Sequence, residues 1–300
     1  MINYSIIIPH KNIPDLLTRC VNSIPQRGDI QIIVVDDNSD QAYLDIFPSF
    51  YRSDLEVIFT KEGRGAGYAR NIGLKRAKGK WLLFADADDY YTDGFLDVLD
   101  KYKETDIDVV YFCANKIHDP SIHVGIDSRN DHIFSYLENP VAGSFILRLR
   151  YWEPWDKLFR REYIVSNNFL FEEIQVGNDA MFVVKSGYYA NHIKADPFPL
   201  YNYVIRPESL TTAVNNEKLL ICFKLYLRLN TFYRSIHQNS FMFSYAHLHK
   251  AILEKKDMKL FLACFMEILK HRQFLHFVYS FLLYSRSRFF RFLQLAVQKL

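Results

Sequence analysis

Residues 4–113 alternate short apolar runs with stretches of helical periodicity, and no other property of the chain restricts its fold as much. Tyr4–Ile8 and Ile30–Val35 are β-branched with few polar breaks, the pattern of strands covered on both faces. Between them, Asn12–Ile24 places Leu16, Leu17, Val21 and Ile24 at helical spacing, with Pro14 early and Pro25 closing it. The pattern predicts further strands at Leu55–Phe59, Trp81–Ala85 and Ile107–Cys113, and helices at Ala66–Ala77 and Asp93–Tyr102. Such alternation implies an α/β fold with a Rossmann-like, mostly parallel central sheet flanked by helices. Ligands of open α/β sheets collect beyond the carboxyl ends of the strands. His10, Asp36–Asp37 and Asp86–Asp89 all fall just past such ends, so three polar clusters are expected at one rim.

The last of these clusters, in WLLFADADDYY (81–91), carries Asp86, Asp88 and Asp89 within four residues. Like charges at that spacing repel, and a core gains nothing from them. A hard divalent cation, Mn²⁺ or Mg²⁺, reverses the sign, and such ions keep open positions for substrate phosphates. A solvated acidic loop is the competing reading, and the convergence of three clusters at one rim favours the metal. VVDDNSD (34–40) offers Asp36 and Asp37 to a ring N–H or a ribose hydroxyl, or as simple caps. GRGAGYARNIGLKRAKGKW (63–81) adds close-approach glycines, then Arg70, a donor fork matched to phosphate, and Asn71. Its spacing is GxGxG, not the GxGxxG of dinucleotide sites, and no phosphate-binding GxxxxGK[ST] loop occurs.

Composition removes several classes. With 49% hydrophobic and 24% charged residues the chain is no disordered segment, and a net charge of +3 argues against nucleic acid as a partner. Cys20, Cys113, Cys222 and Cys264 are scattered without CxxC spacing, so reduced thiols are expected and structural zinc is not. MINYSIIIPHKN lacks the basic start of a signal peptide, and no run reaches the ~20 apolar residues of a membrane span. A cytoplasmic protein is the expectation.

From about 115 to 215 the pattern loosens, with helical pieces near Lys157–Ser166 and Asp179–Tyr189. From 216 onward everything looks helical. From residue 246 there are ten Lys/Arg against three Asp/Glu, so the basic character belongs to the tail. Gln273–Ser285 is apolar between Arg272 and Arg286, and RSRFFRFLQLAVQKL follows. Two partners are open for residues 273–300: an anionic membrane surface, slightly preferred, or the protein itself, including a second subunit.

The motifs carry a resemblance. In order and spacing, SIIIPHKN, VVDDNSD, ARNIG and FADADD resemble the inverting glycosyltransferases of family 2, which have the GT-A fold. PWDKLFRREYI (154–164), VGNDAMF (176–182) and YNYVIRPESLT (201–211) are similar to that family's Trp segment, its Glu-Asp motif and its closing Arg-Ser-Thr segment. The resemblance covers about residues 3–212. It implies a catalytic domain over 1–215, its half 1–105 taking nucleotide sugar and metal and its half 106–215 facing the acceptor, followed by a helical extension over 216–300. Pro9 and His10 would line the nucleotide pocket, Asp37 would contact the base, and Asp36 would support that strand end. Arg70, with Asn71 beside it, would sit by the base or diphosphate. Asp88 would be the chief ligand of Mn²⁺ or Mg²⁺, Asp86 would reach ribose and metal-bound water, and Asp89 would brace the loop. Asp179 would be the catalytic base, or else a residue favouring a helix N-terminus. Arg206 would clamp the diphosphate, or only form a surface pair. On the acceptor side stand Asn178 and Trp155, the latter stacking on a sugar or serving as a core aromatic.

Two departures from the family stand out: Asn178 where it has Glu, and His10-Lys11-Asn12 where it often has Tyr-Asn. The resemblance implies transfer from a nucleotide sugar, a UDP-sugar by expectation, to a glycan or lipid-linked acceptor. Alternatives are a non-catalytic sugar-nucleotide or glycan binder on the same fold, and a sugar nucleotidyltransferase.

Overall fold

The computed structural model describes residues 1–50, 52–118, 123–206, 216–245, 258–280 and 282. Residues 207–211 of the closing segment and the basic-aromatic stretch 286–300 lie outside the described residues. The chain divides into two compact units, Met1–Ser209 and Leu210–Leu300.

The first unit begins β1 (Tyr4–His10), α1 (Pro14–Asn22), β2 (Ile30–Asp36), α2 (Gln41–Leu44), β3 (Leu55–Phe59), α3 (Ala66–Arg76) and β4 (Trp81–Phe84). It continues through β5 (Tyr90–Tyr91), α4 (Phe95–Asp100), β6 (Val109–His118) and β7 (His123–Ile126). Then come α5 (Asp131–Glu138), α6 (Pro140–Arg150), β8 (Lys157–Arg160), α7 (Arg161–Ser166), α8 (Ala180–Tyr189) and β9 (Ile193–Ile205). The sheet runs β3-β2-β1-β4-β8-β6-β9-β5, with β7 paired to β6. It is mixed. The β3-β2-β1-β4 portion is parallel, as the alternating sequence requires, whereas β8 is antiparallel to both its neighbours. Every residue of β1 and β4 is buried, because helices cover both faces. One apolar cluster centres on Ile6, Ile8, Trp81 and Leu83, and the other on Ile7, Ile33, Phe84 and Phe159.

Two elements depart from the sequence expectation. Lys157–Arg160 is a strand and not the start of a helix; its four residues bridge β4 and β6, and the helix begins only at Arg161. The longest strand, β9, carries Pro197 and Pro199, which argue against a strand in sequence. The register explains it: the ladder with β6 shifts between Phe112 and Cys113, from partner Asp196 to partner Pro199. Pro197 is left out of the register, and Pro199, the partner of Cys113, lies between two register shifts.

The second unit contains α9 (Asn216–Ser235) and α10 (Met258–Lys270), and residues 274–280 are helical. Phe223 and Leu227 pack with Tyr245, Leu260, Cys264 and Ile268 in a core of their own.

Candidate functional site

The carboxyl ends of β1 and β2 lie side by side, with His10 opposite Asp36. His10 is 2% exposed, and both its ring nitrogens are engaged. Its Nδ1 lies 2.7 Å from Asp36 Oδ2, and its Nε2 accepts the Ile13 N–H at 3.2 Å, which places the ring proton on Nδ1. Asp36 also accepts the Ser39 N–H at 2.9 Å. Burial raises this carboxyl, but the hydrogen bonds from His10 and Ser39 outweigh it and leave it below the usual carboxylate range. Both ring nitrogens of His10 are thus bonded within the strand end. Pro9 is buried beside it, opposite Val35. Asp37 accepts the N–H groups of Arg64 and Gly65 at 3.0 and 2.7 Å, fixing the loop that enters α3. Gly65 holds φ +92°, where a side chain is strained.

Helix α3 is fastened to the segment that precedes Asp179. The Asn71 amide exchanges two hydrogen bonds with the Phe171 backbone, at 3.0 and 2.9 Å, and so clamps that backbone to α3. A Cβ on Gly67 would run into the Glu172 carbonyl oxygen and come within 3.1 Å of Asn178 Cβ. Arg70, 4% exposed, donates from Nη1 to Asn178 Oδ1 at 2.6 Å and from Nη2 to Asp86. A single guanidinium thus joins the acidic loop to the Asn178–Asp179 segment.

The acidic loop is anchored on β9. Asp89 is 1% exposed and accepts the Val204 N–H at 2.8 Å, so it braces the loop. Burial, then the charges of Asp88 and Asp86, hold its carboxyl well above the ordinary value. Tyr201 Oη accepts the Asp86 N–H at 2.8 Å, and Arg206 donates to the Asp88 carboxylate. Arg19 of α1 donates to the Asp88 carbonyl and lies over the Tyr90 ring. Trp155 is 4% exposed, stacked on Tyr201 and Tyr203 and covered by the Arg129 guanidinium. Of its two readings the geometry is that of a core aromatic, because its faces are taken.

Asp179 is the N-cap of α8, yet its side chain makes no capping hydrogen bond. Burial pushes its carboxyl up to about 6; the positive Arg70 opposes this, and the negative Glu153 and Asp86 add to it. A carboxylate in that range accepts protons near neutral pH. Glu153 comes with Arg129, which donates to it at 2.6 Å and to Asp127 at 2.9 Å. Sequence reasoning missed Glu153, Arg129 and Tyr201. The only available signal for Glu153 was its place two residues before Trp155.

The residues present suit a divalent cation. Asp86 and Asp88 each hold a guanidinium nitrogen, so both carboxylates already serve a positive group. Among the described residues no set of three or more His, Cys, Asp or Glu gathers as a full metal cage. A hard ion completed by water and diphosphate oxygens fits two carboxylates.

Comparison with known proteins shows the family and the fold. A family model described as "Glycosyl transferase family 2" matches residues 5–159. The chain is 27% identical over 215 residues to the uncharacterized glycosyltransferase EpsJ of Bacillus subtilis, covering 69% of this chain and 62% of that protein. It is 28% identical over 221 residues to the poly(ribitol-phosphate) beta-N-acetylglucosaminyltransferase TarS of Staphylococcus aureus, covering 69% and 36%. The chain therefore spans less than two thirds of the length of these relatives. The crystal structure of S. aureus TarS 1-349 in complex with UDP-GlcNAc superposes with a TM-score of 0.67 at 21% identity, over 91% of this chain and 81% of that one, a likeness of fold.

Proposed function

Because the chain belongs to glycosyl transferase family 2, we propose that it is a metal-dependent, inverting transferase that moves a sugar from a UDP-sugar to a hydroxyl of a glycan or glycolipid acceptor. The observation that carries the proposal is the Arg70 fork, which brings Asp86 and the Asn178–Asp179 segment to one rim. The names of the relatives, a beta-N-acetylglucosaminyltransferase and a beta-glucosyltransferase of poly(ribitol-phosphate), support a hydroxyl-rich acceptor in cell-surface polysaccharide synthesis.

In this reading Asp179 takes the proton of the acceptor hydroxyl as its oxygen bonds the anomeric carbon. The bond from that carbon to the diphosphate breaks, and its electron pair leaves with the diphosphate. Arg206 and Arg70 supply positive charge beside that leaving group. Mn²⁺ or Mg²⁺ held on Asp88, with Asp86, would neutralise the departing diphosphate when bound. Glu153 keeps Asp179 basic through its negative charge.

Binding tests the donor and metal directly. UDP with Mn²⁺ is expected to raise the melting temperature more than either alone. A ligand at one hundred times its Kd stabilises by about 2.7 kcal/mol. The combined shift should vanish in Asp88→Ala, and an unaltered shift in that variant would remove Asp88 from the site.

The pH profile tests the base. Asp179 must be ionised to act, so kcat/KM should rise with pH through about 6 and level off above it. Glu153→Gln removes a negative neighbour, lowers the proton affinity of Asp179, and should move that limb to lower pH. A limb that stays in place in the variant separates Glu153 from the base.

A further inference from the structure

The second unit carries a surface that the transfer chemistry does not use. On α10 the buried Leu260, Cys264 and Ile268 form one side, within the core shared with α9. On the other side Leu262, Met266 and Leu269 recur a turn apart and are 58, 58 and 46% exposed. A helix apolar on both sides is ordinarily covered on both. The following helical stretch repeats the pattern, with Leu275 84%, Tyr279 59% and Leu282 59% exposed. The two segments meet where Phe265 contacts Phe274 and Phe277, and monomeric proteins rarely leave so many large apolar side chains of adjoining segments in water.

Among the described residues from 258 to 282 the exposed charged side chains are of one sign. Lys259, Lys270 and Arg272 are exposed, and at 100° per residue Lys259 and Lys270 border the apolar stripe of α10. The one carboxylate between 258 and 282, Glu267, is 19% exposed and paired with Lys224 at 3.3 Å. No negative group on this stretch therefore faces outward unpaired. Among the described residues no helix is long and apolar enough to cross a membrane.

We propose that this face, α10 together with residues 274–280 and Leu282, lies in the plane of an anionic lipid bilayer. Leu262, Met266, Leu269, Leu275, Tyr279 and Leu282 enter the acyl boundary, while Lys259, Lys270 and Arg272 meet the headgroups. Basic residues beside an apolar stripe of this depth are the composition that such an interface selects. The surface differs from the one expected from sequence, since half of the stripe is on α10, ahead of residue 273. It holds whatever sugar the first unit transfers.

Sedimentation of the full chain with vesicles tests this. Binding to phosphatidylcholine vesicles containing about 30% phosphatidylglycerol is expected, at least tenfold tighter than to pure phosphatidylcholine. It should weaken as salt rises from about 0.1 to 0.5 M. Met266→Glu should lower binding about tenfold or more, because it withdraws a buried side chain and adds a like charge. Lys270→Glu with Arg272→Glu should cost about fivefold for each residue at low salt. All three positions are exposed, so melting temperatures should hold, and the salt titration of the unaltered chain needs no variant. Absence of phosphatidylglycerol-dependent binding overturns the proposal. So does a dimer that Met266→Glu dissociates while vesicle binding is absent, which would assign the face to a second copy.

Discussion

Asp179→Asn is expected to lower sugar transfer by about 10²–10⁴-fold, the usual contribution of a positioned general base. UDP binding and the fold should survive, because the Asp179 side chain caps nothing and Asn is itself a favoured N-cap residue. The sign of the stability change can be worked out. Folding raises the proton affinity of this carboxyl to about 6, so its ionised form is destabilising above the unfolded value and neutral below it. The variant should thus melt at or above the wild-type temperature near pH 7 and show no difference near pH 3. Reduced activity with retained stability marks a functional carboxylate, whereas loss of both marks a structural one. Release of UDP from a UDP-sugar and acceptor measures the first, and thermal melting the second. Transfer within tenfold of wild type would place the base elsewhere.

Gly67→Ala should produce the second large effect, although it adds a single methyl group. That methyl meets the Glu172 carbonyl, which is backbone and cannot rotate away. Overpacking of this kind costs about 1–3 kcal/mol. The displacement does not stop at residue 172. The Glu172 N–H donates to the Asn178 carbonyl at 3.0 Å, so the turn leading to Asp179 moves with it. Misplacing a reacting group by about 1 Å can reduce turnover about 100-fold. Gly28 has nothing within 4 Å of a built Cβ, and Gly28→Ala is the matching silent control. Wild-type turnover and melting in Gly67→Ala would show that α3 does not hold the base.

Strands β1, β2 and β4 are readable in sequence because both their faces are buried, which leaves apolar runs with few polar breaks. β9 is not readable, since Pro197 and Pro199 mimic a loop and only the partner strand shows that the ladder skips Pro197 and shifts on either side of Pro199. Lys157–Arg160 is too short to display a period, and the helix behind it lends it a false one. For the site, strand order gave the expectation that His10, Asp36–Asp37 and Asp86–Asp89 share one rim, while Asp179 entered through the family resemblance. Polarity could not separate a group that faces a ligand from one that bonds inward, and His10 and Asn71 turned out to bond inward. The partnership of Arg129 with Glu153 spans 24 residues that include α5 and α6, and no local rule connects its two ends.

The Arg70 fork also acts as a fixed gauge. Its two arms set the span between the Asp86 carboxylate and the Asn178 amide. A lysine at residue 70 carries the same charge but a single ammonium, and would give up the two-armed bridge that keeps those ends together.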